Sequence, residues 1–223
     1  MLLTLEGVVP AAEVSRLREI LAPAEFESGL VTARGGAAKV KDNLELVEED
    51  PAFEEALQLV TDALDRNAVF QAATYPSRMT VPRFSRYDVG MRYGDHLDSP
   101  LMGREERIRL DVSVTVFLSS PDEYDGGELV IDTGYGIQRC KRNAGACVIY
   151  PAGTLHRVEE VTRGVRLVAV LWIQSLIADP ERRKLLFDLA GAIEYLDRFG
   201  QPGPQIEVLR RCHANLLRMW AQP

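Results

Sequence analysis

Hydrophobic and polar positions change their spacing along the chain. In the first third, apolar residues recur every three or four positions, which places them on one face of a helix. These apolar positions are Val14, Leu17, Ile20 and Leu21 in one segment, and Phe53, Ala56, Leu57, Val60 and Leu64 in a second. The pattern predicts two amphipathic helices, the second capped by Asp50 with Pro51 at its first position, and a first strand within residues 1–8.

From about residue 79 to residue 175, apolar and polar residues alternate in short runs between Gly, Pro and Asp clusters. Residues 108–118 give the clearest run, because every even position is apolar and most odd positions are polar. Strict alternation is typical of a strand with one apolar face and one face towards water or a polar cavity. Several such strands at 8–12-residue spacing predict a sandwich or barrel.

Helical spacing returns after Ser175. Asp179-Pro180 repeats the N-terminal signal, Gly200 ends the predicted helix, and a last helix follows Pro204. We therefore expect an N-terminal segment of residues 1–78, a β core of residues 79–176 and a helical extension of residues 177–223. The extension is predicted either to cover the barrel or to form the interface of a homodimer.

Composition narrows the class of protein. The chain has 223 residues, 46% of them hydrophobic, and a formal net charge of −7. The acidic balance argues against a nucleic-acid partner, and no apolar run approaches the ~18 residues of a membrane span. Three cysteines form no C-x-x-C pair, and an odd number argues against a disulfide framework. These features predict a cytoplasmic protein.

Two of the three histidines form the candidate metal site. His96 and Asp98 form an H-x-D element, and His156 follows sixty residues later. Residues two apart in a strand point to the same side, so His96 and Asp98 can act together, with His156 joining from another strand. Two imidazoles and one carboxylate with open positions are typical of non-haem Fe(II) oxygenases. Zinc with the same ligands is the chemical alternative.

Arg166 stands in an otherwise apolar predicted strand, residues 165–173, in phase with Val168, Val170 and Trp172. An arginine that points into a barrel needs an anionic partner, and its planar fork matches a carboxylate. The far carboxylate of 2-oxoglutarate is one such partner. The alternative is a rim arginine paired with Glu159 or Glu160.

The order of these elements resembles one known family. The chain contains R-Y-x-x-G-x-x-Y-x-x-H-x-D from Arg86 to Asp98, then Phe117-Leu118, then G-G-E-L from Gly126, then P-x-x-x-x-H ending at His156, then Arg166. This arrangement resembles the catalytic core of prolyl-4-hydroxylase-like 2-oxoglutarate dioxygenases, and the whole chain is similar to the bacterial PKHD-type hydroxylases among them.

The resemblance implies a double-stranded β-helix, or jelly-roll, core with flanking helices. His96, Asp98 and His156 match its iron ligands, and Arg166 matches the basic residue that binds 2-oxoglutarate. Tyr87 matches a tyrosine that helps to hold 2-oxoglutarate.

Three further positions are assigned to the cavity. Tyr93 and Trp172 match residues near the substrate, and Thr115 is a candidate for the cofactor pocket because it lies on the polar face of its predicted strand. Packing inside the barrel is the alternative role for the two tyrosines and Trp172.

The activity implied is O2-dependent hydroxylation of an unactivated C–H bond that yields succinate and CO2, with L-ascorbate as a further cofactor and a small-molecule or peptidyl, prolyl-like substrate. Three alternatives stay open: a cupin-type metal enzyme that does not use 2-oxoglutarate, a non-enzymatic 2-oxoglutarate or iron sensor, and a structural module whose histidines lie apart. Residues 99–107 are predicted to be either a lid or a surface loop.

Overall fold

The computed structural model describes residues 1–32, 36–103, 106–200 and 203–222. The helices are α1 (Ala11–Leu21), α2 (Ala52–Asp65), α3 (Ala68–Thr74), α4 (Pro180–Phe199) and α5 (Pro204–Trp220). The strands are β1 (Leu3–Leu5), β2 (Phe26–Ser28), β3 (Lys41–Asp42), β4 (Leu44–Leu46), β5 (Pro76–Met79), β6 (Arg83–Tyr87), β7 (Arg92–His96), β8 (Leu101–Met102), β9 (Ile108–Arg109), β10 (Val112–Phe117), β11 (Tyr124–Gly126), β12 (Leu129–Asp132), β13 (Ile137–Cys140), β14 (Cys147–Pro151), β15 (His156–Val158), β16 (Val161–Gly164) and β17 (Arg166–Ser175).

Two antiparallel sheets form the core. The large sheet has the order β1-β14-β10-β17-β6-β4-β2, with β5 also paired to β17, and the small sheet has the order β13-β12-β15-β7-β3. Apart from β12 and β13, the neighbouring strands of the two sheets are not consecutive in the chain, as in a double-stranded β-helix. The predicted jelly-roll core is therefore confirmed. Residues 1–78 supply β1, β2, β4 and most of β5 to the large sheet and β3 to the small one.

Helices α1, α2 and α3 cover the outer face of the large sheet. Val112, Val114 and Val116 of β10 pack in one hydrophobic cluster with Leu17 of α1 and Val60 of α2, all nearly inaccessible to solvent. The apolar stripes predicted for the first two helices are thus the surfaces that bury the sheet. Burying one such aliphatic side chain contributes about 1.5–3 kcal/mol to folding.

The inner face of the large sheet looks towards the small sheet. Phe117 of β10 packs there with Val148, Tyr150 and Val168 of the large sheet and with residues of the small sheet. The odd positions Ser113 and Thr115 share this inner face, because successive side chains of a strand alternate between its two sides. The polar face predicted for residues 108–118 thus lies inside the molecule, towards a cavity and not towards water.

The single strand predicted for residues 108–118 is wrong in one respect, because the run is divided into β9 and β10. The division falls at Asp111, whose carboxylate accepts hydrogen bonds from the Arg109 side chain at 2.7 and 3.0 Å and from the backbone N–H of Ser175 at 2.9 Å. The break frees β9 to pair with β8.

Helix termini follow the predicted capping signals with small shifts. Asp50 accepts a hydrogen bond from the N–H of Ala52 at 2.8 Å, and α2 begins at Ala52, one residue later than predicted. Asp179 caps α4 by accepting from Glu181 and Arg182, as predicted. The sequence pattern missed α3, a seven-residue helix capped by Asn67.

Candidate metal centre

His96, Asp98 and His156 come together at the small sheet. One potential ligand atom from each lies within 4.8 Å of the others. His96 ends β7 and His156 begins β15, and the two residues are direct partners in the antiparallel pairing, with ring centroids 4.2 Å apart. The register of the sheet therefore brings together two histidines that are sixty positions apart in the sequence.

Main-chain carbonyls orient both imidazoles. Nδ1 of His96 is 2.8 Å from the carbonyl oxygen of Gly94, and Nδ1 of His156 is 2.9 Å from that of Thr154. A carbonyl can only accept, so each Nδ1 donates, which leaves Nε2 as the ring nitrogen that can bind a metal. Burial, and then the neighbouring His156, lower the pKa of His96 to about 4, so His96 is neutral at neutral pH.

One carboxylate oxygen of Asp98 faces the two histidines, and the other accepts a hydrogen bond that holds the side chain in place. Its Oδ1 lies 3.8 Å from Nε2 of His156. Its Oδ2 accepts from the hydroxyl of Ser113 at 2.5 Å. Ser113 belongs to β10, so the large sheet orients a residue that follows a strand of the small sheet.

A β-bulge precedes His96. His156 pairs with His96 but Val158 pairs with Tyr93, so β7 has one residue more than β15 between these positions. Gly94 sits inside the bulge, where a Cβ would lie 2.9 Å from Cβ of Val40. Bulges redirect side chains near functional sites, and this one also supplies the carbonyl that holds His96.

Arg166 of β17 is 1% exposed, and no described residue accepts a hydrogen bond from its Nε or Nη1. Its guanidinium lies 4.9 Å from the ring centroid of Tyr87 and 5.8 Å from that of Phe117. Gly127, at φ +64°, leaves room for the side chain, because a Cβ there would lie 3.1 Å from Cδ of Arg166. A buried guanidinium with open donors fits a carboxylate ligand.

The alternative of a rim arginine is wrong. Glu159 is paired with Arg157 at 3.0 Å and Arg139 at 3.2 Å, and Glu160 is paired with Arg92 at 3.2 Å. Both acidic residues therefore already have partners, while Arg166 is buried and lines the same cavity as the metal ligands.

That cavity has a volume of about 460 Å³. All the residues predicted for the site contribute to it: His96, Asp98, His156, Arg166, Tyr87, Thr115, Tyr93 and Trp172. Tyr93 stacks on His96 with ring centroids 3.6 Å apart and planes 10° apart. Tyr87 is buried, which raises its pKa to about 12. The structure thus brings together every residue that the sequence singled out.

Sequence reasoning missed one side of the cavity, which we call the N-terminal wall: Lys41, Asn43 and Glu45. All three are buried and line the cavity. Lys41 pairs with Tyr93 in the small sheet, and its Nζ lies 5.5 Å from the Tyr93 ring centroid. Residues 41–45 are Lys-Asp-Asn-Leu-Glu, a mostly polar run that is typical of an exposed segment and therefore did not indicate a buried wall.

The segment predicted as a lid or a surface loop borders the cavity. Ser99, Leu101, Met102 and Gly103 line it. Residues 104 and 105 lie outside the described residues, so the lid stays a prediction. Elsewhere, His213 is hydrogen-bonded to the hydroxyl of Tyr75 at 2.9 Å. Within the described ranges, no helix has the length and apolarity needed to cross a membrane.

Comparisons with known proteins agree with this geometry. Residues 82–174 match the family described as the 2OG-Fe(II) oxygenase superfamily. A PKHD-type hydroxylase from Thermosynechococcus vestitus is 45% identical over the full length of both chains. A prolyl-4-hydroxylase from Pseudomonas putida has a similar fold, with a TM-score of 0.53, 19% identity, and coverage of 78% of this chain and 92% of that one.

A second solved structure is a prolyl hydroxylase from Trichoplax adhaerens in complex with a peptide fragment of the hypoxia inducible factor oxygen degradation domain. Its TM-score is 0.59 at 13% identity, and the match covers 83% of this chain and 86% of that one. At this identity the likeness establishes a shared fold.

Proposed function

We propose, from the premise that this chain belongs to the PKHD-type hydroxylases of the 2OG-Fe(II) oxygenase superfamily, that His96, Asp98 and His156 bind Fe(II) and that Arg166 binds 2-oxoglutarate. The protein is a 2-oxoglutarate-dependent iron hydroxylase, which acts on an unactivated C–H bond and produces succinate and CO2. When bound, iron and 2-oxoglutarate together supply the oxidising chemistry.

The observation that carries the residue assignment is the buried guanidinium of Arg166 in the cavity of the His-Asp-His cluster. Two imidazoles and one carboxylate suit a divalent metal and leave further positions open. Arg166 offers two parallel donors to the distal carboxylate of 2-oxoglutarate, and Tyr87 packs against the guanidinium. A cupin-type enzyme that does not use 2-oxoglutarate would leave this charge unpaired.

The remaining cavity residues are assigned to the co-substrate and the substrate. Thr115 is 2% exposed on the inner face of β10 and serves the 2-oxoglutarate pocket. Tyr93 and Trp172 line the part of the cavity left for the substrate. Burial of these groups excludes water from the reacting centre.

The substrate proposed is peptidyl or prolyl-like. Its support is the likeness to the Pseudomonas putida prolyl-4-hydroxylase and to the prolyl hydroxylase solved with a peptide. The cavity volume of about 460 Å³ suits one residue and its neighbouring peptide groups. L-ascorbate is included as a reductant that keeps the iron active.

The setting proposed is a cytoplasmic homodimer without a nucleic-acid partner. Cys140, Cys147 and Cys212 are free thiols, which suits a reducing compartment. Large apolar side chains on the C-terminal helices, among them Phe199 and Met219, are more than 60% exposed and favour contact with a second copy. Light scattering of the purified protein tests the dimer.

The test of function is succinate release from 2-oxoglutarate when O2 is admitted to anaerobically iron-loaded protein. His96→Ala is expected to abolish the release, and His213→Ala, which removes an imidazole outside the cavity, is expected to retain it. A visible Fe(II)/2-oxoglutarate charge-transfer band without succinate would favour the sensor alternative. Absence of both metal binding and turnover in the wild type would contradict the proposal.

A further inference from the structure

The N-terminal wall contains three polar side chains in different states. The buried ammonium of Lys41 is hydrogen-bonded to the carboxylate of Glu45 and, at 2.9 Å, to the hydroxyl of Thr32. Thr32 in turn donates to Glu45 at 2.8 Å. The charges of Lys41 and Glu45 therefore neutralise each other.

Asn43, between Lys41 and Glu45, is different. It is 3% exposed, and neither Nδ2 nor Oδ1 of its carboxamide has a hydrogen-bond partner in the part of the chain that the structure describes. Its backbone carbonyl is in use, since it accepts from the N–H of Gly29 at 2.9 Å. Leaving a buried amide unpaired costs about 1–3 kcal/mol, which is a large share of the stability of a typical domain.

Packing holds this carboxamide in place. A Cβ on Gly29 would lie 2.1 Å from Oδ1 of Asn43, so the side chain fills the space that the missing Cβ leaves. The amide is therefore held by packing, but its donor and acceptor have no partner among the described residues. A polar group in this state at the wall of a substrate cavity is prepared for a ligand atom.

The open groups of the cavity indicate the chemistry of the ligand. The open donors of Arg166 are assigned to 2-oxoglutarate. Besides these and the two atoms of Asn43, the indole Nε1 of Trp172 also lines the cavity without a partner among the described residues. The side chains of Asn43 and Trp172 are both neutral. A free amino acid would bring an ammonium and a carboxylate, but the charges of Lys41 and Glu45 are already paired with each other. Arg83 is also engaged: its guanidinium lies 5.5 Å from the centroid of the Trp172 ring and 4.0 Å from the carboxylate of Glu45.

A neutral group that offers a donor and an acceptor together satisfies both atoms of a carboxamide. In an extended chain the N–H and C=O of one residue point to the same side, as in a hydrogen-bonded pair of an antiparallel sheet. These two groups match Oδ1 and Nδ2 of Asn43.

We propose that Asn43 binds the main chain of a peptidyl substrate by accepting from the N–H and donating to the C=O of one extended residue. The inference rests on the proposed function and deepens it, because it selects a peptide over a free amino acid. The residue held by Asn43 is not proline, since proline has no N–H. A reacting prolyl residue would therefore be a neighbour of the residue that Asn43 holds.

The experiment uses the smallest main-chain probe, N-acetylglycine N-methylamide, added to full-length protein loaded with Zn(II) and 2-oxoglutarate. The Asn43 side-chain amide resonances, assigned by their loss in Asn43→Asp, are followed by NMR. We expect them to shift with the probe, but not with free glycine, and only weakly with the ester analogue that replaces the glycine N–H by oxygen. In Asn43→Leu, which has the same branching, the probe should bind roughly tenfold more weakly.

Thermal unfolding separates this role from a structural one. Because the carboxamide has no partner, Asn43→Leu is expected to keep or raise the Tm, whereas a structural asparagine would lower it. Asn215→Leu on the exposed face of α5 is the matched control and should leave probe binding unchanged.

Two results would overturn the inference: a probe affinity unchanged in Asn43→Leu, or an equal shift with free glycine. If 2-oxoglutarate binds in the same samples while the Asn43 resonances stay fixed, the inference fails and the proposed function stands. If 2-oxoglutarate itself does not bind, the proposed function fails first.

Discussion

The metal side of the cavity, formed by His96, Asp98, His156 and Arg166, and the N-terminal wall are completed in different ways. On the metal side, carbonyl oxygens accept from Nδ1 of both histidines, and a hydroxyl donates to Oδ2 of Asp98. The Nε2 atoms and Oδ1 are left to bind a metal. On the N-terminal wall, Lys41 and Glu45 neutralise each other. The groups without a hydrogen-bond partner among the described residues belong to the neutral amide of Asn43.

The difference follows from what each side has to bind. A divalent cation and a dicarboxylate are recognised by charge, so the metal side exposes a carboxylate and a guanidinium that neutralise them. A chain of peptide groups has no charge to neutralise. A wall for it gains specificity from neutral donors and acceptors, provided that its own charges are already paired.

The largest effect is expected when the charge of the metal side is removed. Arg166→Met should weaken 2-oxoglutarate binding roughly a thousandfold, about 4 kcal/mol, because the distal carboxylate would lose a buried, hydrogen-bonded partner. Isothermal titration with the Zn(II)-loaded protein measures this affinity. Arg163→Met removes a surface arginine paired with Asp125 and should change nothing. Equal affinity in Arg166→Met would contradict the assignment of the co-substrate.

Breaking the charge balance of the N-terminal wall should instead reduce stability. Lys41→Met leaves the carboxylate of Glu45 buried without its cation, at an expected cost of about 3 kcal/mol in the free energy of unfolding. The double variant Lys41→Met/Glu45→Leu should recover most of the loss, because it removes both charges.

Denaturant unfolding measures these differences. Lys184→Met breaks an exposed pair with Asp188 on α4 and is expected to stay within about 0.5 kcal/mol of the wild type. A double variant as unstable as Lys41→Met would show that the pair supports the fold through more than its charges.

The same contrast explains what the sequence could predict. The ligands of the metal side carry rare residue types at fixed spacing, and Arg166 interrupts an apolar strand, so both signals survive without a structure. Asn43 and Ser113 are common polar residues. The role of Asn43 depends on its packing against Gly29, and that of Ser113 depends on its hydrogen bond to Asp98. Only the folded chain defines these contacts.

The fold shows the same limit. The alternation in residues 108–118 predicted a strand with a polar face, but not that helices would cover the apolar face and a second sheet the polar one. The helix α3 was missed because seven residues give too little periodicity to detect. The bulge at Gly94 left no signal that distinguishes this glycine from one in a turn.

A smaller effect is expected from the support of Asp98. Ser113→Ala removes the hydroxyl that holds Oδ2 and should weaken metal binding 10- to 100-fold, about 1.4–2.7 kcal/mol. Competitive titration with Co(II) measures the affinity, and the Fe(II)/2-oxoglutarate band should lose intensity at limiting iron. Ser113→Thr retains a hydroxyl and should recover part of the affinity.

Ser119→Ala serves as the control for this variant. Its hydroxyl donates to the carbonyl of Val165 at 3.0 Å, outside the cavity, so its loss should affect stability but not metal affinity. If Ser113→Ala binds Co(II) as tightly as the wild type, Asp98 is held by the metal alone.

The smallest effect concerns Tyr93, which contacts both sides of the cavity. One face of its ring stacks on His96, and Nζ of Lys41 lies 5.5 Å from its centroid. Stacked aromatic pairs contribute about 0.5–1.5 kcal/mol beyond burial, so Tyr93→Leu should weaken Co(II) binding roughly 3- to 10-fold by loosening His96. Tyr93→Phe keeps the ring and should bind Co(II) like the wild type. Should Phe prove as damaging as Leu, the hydroxyl and not the ring would support the metal side, and Tyr93 would lose its place between the two sides.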